Sequence, residues 1–176
     1  MIEPDLRALI RDIPDFPRAG ILFKDITPLL LDHEAVRSAV RRLADWARAR
    51  EVDYVVAAEA RGFILGAALA LELDAGFVPA RKPGKLPSQT VSAEYILEYG
   101  VDALEMHSDA LADGARVLIH DDLLATGGTA RALAELVQRL GATVVGCAFL
   151  VELTFLDGRR RLDGFDVHAL VSYDGD

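Results

Sequence analysis

The sequence predicts an α/β protein: an open, mainly parallel, twisted sheet flanked by helices on both faces. Two observations predict it. Two β-α-β units follow one another, over 54–80 and 116–153, each a short apolar strand, a helix and a second apolar strand. The 176 residues carry no composition shift, internal repeat or linker between those units, so a single domain over 1–176 is expected.

Each element has its own signal. Over 5–12 the residues Leu6, Leu9, Ile10 and Ile13 recur at helical spacing, which predicts a short amphipathic helix stopped by Pro14. Residues 15–26 hold Pro17 and Gly20 and then a compact apolar run, Ile21, Leu22 and Phe23, the pattern of an ordered loop or short strand. Over 34–50, Val36, Val40, Leu43, Ala44 and Ala47 form one face and Arg37, Arg41, Arg42 and Arg48 lie elsewhere, so a surface helix is predicted. The first β-α-β unit is a strand at 54–58, a small-residue helix at 62–73 and a strand at 76–80. Residues 81–109 break the pattern: Pro83, Gly84 and Pro87 predict a mobile loop, and alternation around 95–99 and 104–107 predicts a β-hairpin after it. The second unit is a strand at 116–120, a helix at 129–140 with Ala130, Leu133, Ala134, Val137 and Leu140 on its apolar face, and a long strand at 143–153.

Composition excludes several classes. With 52% hydrophobic and 27% charged residues the chain is neither disordered nor low-complexity. Its longest uncharged stretches are about half the ~20 residues a membrane-spanning helix needs, and its N-terminus has no basic region leading into an apolar run, so neither a membrane nor a secretory segment is expected. The lone Cys147 cannot close an internal disulfide, and a cytoplasmic location is expected. A net charge of −9 argues against a nucleic-acid partner. Among 19 cationic residues only Lys24, Lys82 and Lys85 are lysines, and each falls in a segment with other functional signals. His33, His107 and His168 have no partners at ligand spacing, so no structural metal is expected.

Most chemistry lies in HDDLLATGGTA, residues 120–130, between a predicted strand and a predicted helix. A Gly- and Thr-rich loop at a helix N-terminus aims backbone N–H groups and the positive end of the helix dipole at one point, and glycine lets a phosphate approach the backbone. Ala125, Thr126, Gly127, Gly128 and Thr129 would form that cradle. Neither the G-x-x-x-x-G-K-[ST] loop nor the G-x-G-x-x-G fingerprint is present, which disfavours nucleoside triphosphates and dinucleotides. Asp121 and Asp122 would repel a phosphate unless a diol or a metal intervenes. A ribose 5-phosphate supplies the diol, its 2′- and 3′-hydroxyls resting on the acids with Mg²⁺ nearby.

The stretch VLIHDDLLATGGTA resembles the phosphoribosyl-pyrophosphate signature of the type I phosphoribosyltransferases. DFPRAGILFKDITPLL, EARGFILG, and RKPGKLP followed by LEYG are similar to segments of the adenine-using branch of that family, so that the resemblance runs from about 13 to 153. It implies a purine-salvage transferase that converts adenine and phosphoribosyl pyrophosphate to AMP and diphosphate, with Mg²⁺ carried mainly by the substrate and a homodimer as the usual assembly. It implies that Glu59, Ala60 and Arg61 bind the diphosphate in a turn with a strained, often cis, peptide. Arg81, Lys82 and Lys85 would add cationic clamps, and 86–93 a closing loop that excludes water. Glu98, followed by Tyr99, would handle the proton at purine N7. Leu22, Phe23 and Lys24 would hold the base by stacking and by backbone hydrogen bonds.

Two positions depart from the family pattern: Lys24 stands where arginine is more usual, and His120 where an aliphatic residue is. Two alternatives keep the phosphate loop. One is a transferase for xanthine, hypoxanthine or orotate, against which FPRAGILFKD argues. The other is a regulator that senses phosphoribosyl pyrophosphate, which would need a basic face or an added nucleic-acid-binding element.

Overall fold

A computed structural model describes residues 3–97 and 100–175. In chain order its elements are β1 (Arg11–Ile13), β2 (Phe23–Asp25), α1 (Thr27–Leu31), α2 (His33–Arg48), β3 (Tyr54–Ala58), α3 (Gly62–Glu72), β4 (Gly76–Ala80), β5 (Thr90–Leu97), β6 (Gly100–His107), β7 (Arg116–Leu124), α4 (Gly128–Arg139), β8 (Thr143–Leu153) and β9 (Val167–Tyr173). Short 3-10 turns stand at Arg7–Leu9, Thr154–Leu156 and Gly158–Leu162.

Five strands form one sheet in the order β4-β3-β7-β8-β9, and every neighbouring pair is parallel. The doubly wound class is therefore as predicted. Alternation along each strand divides the core between the two faces. Val56, Ile119, Cys147 and Phe149 pack with Leu133, Leu136 and Val137 of α4. Val55, Leu118 and Ala148 pack with Leu43 of α2 and Leu69 of α3 on the other side. Because β3 crosses to β4 and β7 crosses to β8 in opposite directions, right-handed connections place α3 and α4 on opposite faces. A crevice then opens at the carboxyl ends of β3 and β7, where sheets of this order hold ligands.

The predicted hairpin is β5 with β6, in register from Thr90 opposite His107 to Leu97 opposite Gly100. Its inward residues Ala93, Tyr95, Leu104 and Met106 are buried in the α4-side core. Since β5 begins at Thr90, only 81–89 of the expected loop lies outside a strand.

Two expectations need correction, and two elements carry no expectation from the sequence. Residues 5–12 form one 3-10 turn and then β1, which pairs antiparallel with β2. Eight residues are too few for an isolated helix to be stable, and burial of Leu6 and Ile10 against α1, α2 and β8 decides the conformation. The helix α1 carries no periodic signal at five residues; Asp25 starts it by accepting from the Thr27 N–H at 2.9 Å, with Pro28 in its first turn. β7 continues to Leu124 instead of ending at His120 because Asp121, Leu123 and Leu124 pair with β8. The edge strand β9 lies beyond the elements expected from the sequence.

Candidate active site

Two strand-to-helix turns flank the crevice. The first runs from β3 through Glu59, Ala60 and Arg61 into α3. The Glu59–Ala60 peptide is cis. Glu59 is held by Arg81, whose Nε donates to Oε2 at 2.6 Å, while Arg81 Nη1 donates to the Lys85 carbonyl at 3.1 Å. This network brings the sequence-predicted segments 59–61 and 81–85 together. Arg61 turns the other way, its Nε 3.0 Å from Asp122 Oδ2.

The second turn runs from β7 through Ala125, Thr126 and Gly127 into α4. Gly127 is the N-cap with φ +81°, and no side chain caps the helix. The first N–H groups of α4 thus remain available to an anion. Asp121, Ala125–Thr129 and Phe149 line a cavity of about 140 Å³ here. Thr126 is exposed and Thr129 half-buried.

The acid pair sits between the turns. Asp121 Oδ1 accepts from the Asp122 N–H at 2.9 Å. Burial, and then the neighbouring Asp122 carboxylate, push the Asp121 carboxyl well above the usual carboxylate range. Asp122 is only 4% exposed, and its Oδ2 faces Arg61 without an aligned hydrogen bond, so a buried lone pair is unused. Directly before the pair, His120 is fully buried; its Nδ1 is 2.9 Å from the Ala148 carbonyl, which fixes the proton there and leaves Nε2 without a donor. Burial pulls its pKa down to about 4.

Arg61 also joins the pair to the predicted base segment, its guanidinium carbon standing 4.9 Å from the centroid of the Phe23 ring. Phe16 meets the same ring edge-on at 5.1 Å. Phe23, Arg61 and Asp122, named on three separate segments, therefore form one contiguous unit. Leu22 is half-buried beside it. Lys24 turns its side chain away from this unit. The chain is buried and its Nζ donates to Asp12 Oδ1 at 2.7 Å, so towards a base it presents only backbone.

The remaining predicted cations divide. Lys82 is committed to Asp102 and, at 3.0 Å, to the Tyr95 hydroxyl, both on the hairpin, while the Lys85 ammonium makes no hydrogen bond or ion pair among the described residues. Glu98 and Tyr99 lie outside the described residues. Among the described residues no group of three or more His, Cys, Asp or Glu side chains is placed to hold a metal ion.

Two glycines missed in the sequence set the geometry. A Cβ on Gly62 would stand 2.7 Å from Asp121 Oδ1, so α3 starts against the acid pair only because this residue has no side chain. A Cβ on Gly158 would lie 2.2 Å from the Ala125 carbonyl oxygen, and one on Gly127 would lie 2.4 Å from that of Gly158. The signals for Gly62 were its place after Arg61 at a predicted helix start and within EARGFILG. Gly158 carried none, because its role depends on a turn, at Ala125 and Gly127, remote from it in sequence.

A parallel sheet whose switch point carries an acid pair on one strand and an uncapped helix start beside it defines a phosphate-binding α/β protein. The chain belongs to the phosphoribosyl transferase domain family, whose pattern residues 29–164 match. Within that family it is 58% identical over 173 residues to the adenine phosphoribosyltransferase of Thermotoga maritima, covering 98% of this chain and 100% of that one. The solved adenine phosphoribosyltransferase of Thermoanaerobacter pseudethanolicus superposes with a TM-score of 0.94 at 55% identity, over 96% of this chain and 98% of its own. That of Saccharomyces cerevisiae, complexed with an imino-altritol 1,6-bisphosphate and adenine, gives 0.89 at 39%, over 94% and 96%.

Proposed function

We propose that this chain salvages adenine: N9 of the base attacks C1′ of phosphoribosyl pyrophosphate, the C1′–oxygen bond to diphosphate breaks, and AMP and diphosphate leave. The observation that carries this reading is the Phe23–Arg61–Asp122 unit beside the open start of α4, which sets an aromatic face, a guanidinium and a carboxylate within one contact of each other at the switch point. The yeast relative, complexed with adenine and an imino-altritol 1,6-bisphosphate together, supports the same pairing of ligands.

The 5′-phosphate rests in Ala125, Thr126, Gly127, Gly128 and Thr129, at the helix start that no side chain caps. The ribose hydroxyls take Asp121 and Asp122. Diphosphate is received by the turn Glu59, Ala60 and Arg61, with Arg81, Lys82 and Lys85 as further cations; Arg61 offers a charge-assisted donor once it leaves Asp122. The purine stacks on Phe23 and is read by the backbone of Leu22 to Lys24. Adenine donates from its 6-amine where a 6-oxopurine accepts, so the wrong base leaves a buried group unpaired. Glu98 manages the proton at N7.

Two carboxylates and an unused Asp122 lone pair fit a Mg²⁺ that takes most of its ligands from the substrate. When bound, it would neutralise charge developing on the diphosphate. We place residues 1–176 in one domain, in the cytoplasm; among the described residues no helix is long and apolar enough to cross a membrane. A homodimer is supported by α3, which is apolar on every side yet leaves Ile64 and Leu71 exposed at helical spacing.

The test incubates the protein with Mg²⁺, phosphoribosyl pyrophosphate and one of adenine, hypoxanthine, guanine, xanthine or orotate. AMP from adenine alone is the expected outcome, and Glu98→Ala lowers turnover with KM values largely kept. Product from another base reassigns the 15–26 segment. No product despite phosphoribosyl-pyrophosphate binding overturns the enzyme reading in favour of a sensor.

A further inference from the structure

The base segment is held from behind by a contact that joins the two ends of the chain. β2 has three residues and a single partner strand, β1, so few backbone hydrogen bonds fix its position. Its middle residue is Lys24, with a side chain only 4% exposed. The ammonium that gives up its water there finds two replacements: Asp12 Oδ1 at 2.7 Å, and the face of Tyr173, whose ring centroid is 4.1 Å from Nζ. Tyr173 ends β9 opposite Leu153, and its carbonyl accepts from Thr154 Oγ1 at 3.0 Å. Arg7 stands over the same ring at 4.5 Å and donates to the Ser172 carbonyl. The ring is therefore fixed to the central sheet and engaged by two cations from the N-terminal segment.

Along a strand, neighbouring side chains point to opposite faces. With Lys24 drawn to Tyr173, Phe23 is directed to the other side, where its ring meets Phe16 and Arg61. We propose that Tyr173, acting through Lys24, is a positioning residue for the base pocket, holding β2 so that Phe23 presents its face to the purine. The inference rests on the reading of Phe23 as the stacking ring.

Steady-state kinetics test it. Tyr173→Leu removes the π face and raises KM for adenine by about 5- to 30-fold, the loss of one desolvated cation–π contact, while kcat and KM for phosphoribosyl pyrophosphate stay within about twofold. Tyr173→Phe and Lys24→Arg keep the contact and the low KM for adenine. Lys24→Met reproduces the Leu variant, and combining the two adds little, since each removes the same contact. Should Tyr173→Leu not fold, Lys24→Met against Lys24→Arg carries the same comparison. An unchanged KM for adenine with only a lowered melting temperature, or fully additive effects, overturns the proposal. Phe23→Ala separates the two readings: if it leaves KM for adenine unchanged, the base-site reading falls and this inference with it. If it raises KM while Tyr173→Leu does not, this inference alone falls.

Discussion

The two turns at the switch point begin helices on opposite faces of neighbouring strands, yet different physics holds them. The 59–62 turn is held by charge, with Glu59 paired to Arg81 and Arg61 to Asp122. The 125–128 turn is held by backbone shape, with Gly127 at φ +81° in contact with Gly158 and no side chain at the helix start. A charged turn whose cation already has a partner must exchange that partner for a ligand, and its contribution to binding is a difference between two ion pairs. A shaped turn is preorganised and loses nothing when its ligand arrives. One protein thus contains an exchangeable, charge-held turn beside a fixed, backbone-held one.

Breaking the fixed turn produces the largest effect. Gly127→Ala strains a left-handed residue and drives its Cβ to 2.4 Å from the Gly158 carbonyl oxygen, so the loop shifts and KM for phosphoribosyl pyrophosphate rises about 100-fold or more, read by initial rates. Asp122→Asn, which removes the charge that the exchangeable turn's Arg61 is paired to, is milder, a KM increase of about tenfold, because the freed Arg61 also becomes available to diphosphate. A larger effect for Asp122→Asn than for Gly127→Ala would reverse the assignment of fixed and exchangeable sites.

The strand between the turns sharpens the comparison through pH. His120 has its pKa lowered to about 4, so in the window from pH 6.5 down to 4 the unfolded chain takes up a proton that the folded one does not. Its contribution is present above pH 6.5 and is lost as pH falls, by about 2 kcal/mol at pH 5. Asp121, raised instead of lowered, works in the opposite sense: the folded state gains as pH falls through its raised pKa. His120→Leu is expected to remove the acid-side loss, so that denaturant unfolding at pH 7 and pH 5 differs by about 2 kcal/mol less than in the unsubstituted protein. The smallest effect is that of Thr126→Ala, a KM increase of about threefold for phosphoribosyl pyrophosphate, since it removes one neutral hydroxyl from a site built of backbone.

Sequence patterning by itself determined the alternating strands and helices, the doubly wound class and the strand-to-helix turn within 120–130. These depend on residues a few positions apart, where strand alternation, helical periodicity and glycine placement act directly. The 5–12 segment failed that logic because its apolar spacing suits both a short helix and a turn packed against distant residues, and the burial of Leu6 and Ile10 chose between them. Only the tertiary structure decided that Arg61 reaches both Phe23 and Asp122, that Lys24 turns away to Asp12 and Tyr173, and that Gly62 and Gly158 must lack side chains. Each of those facts is a distance between segments remote in sequence, and such distances exist only after the sheet has closed around a common core.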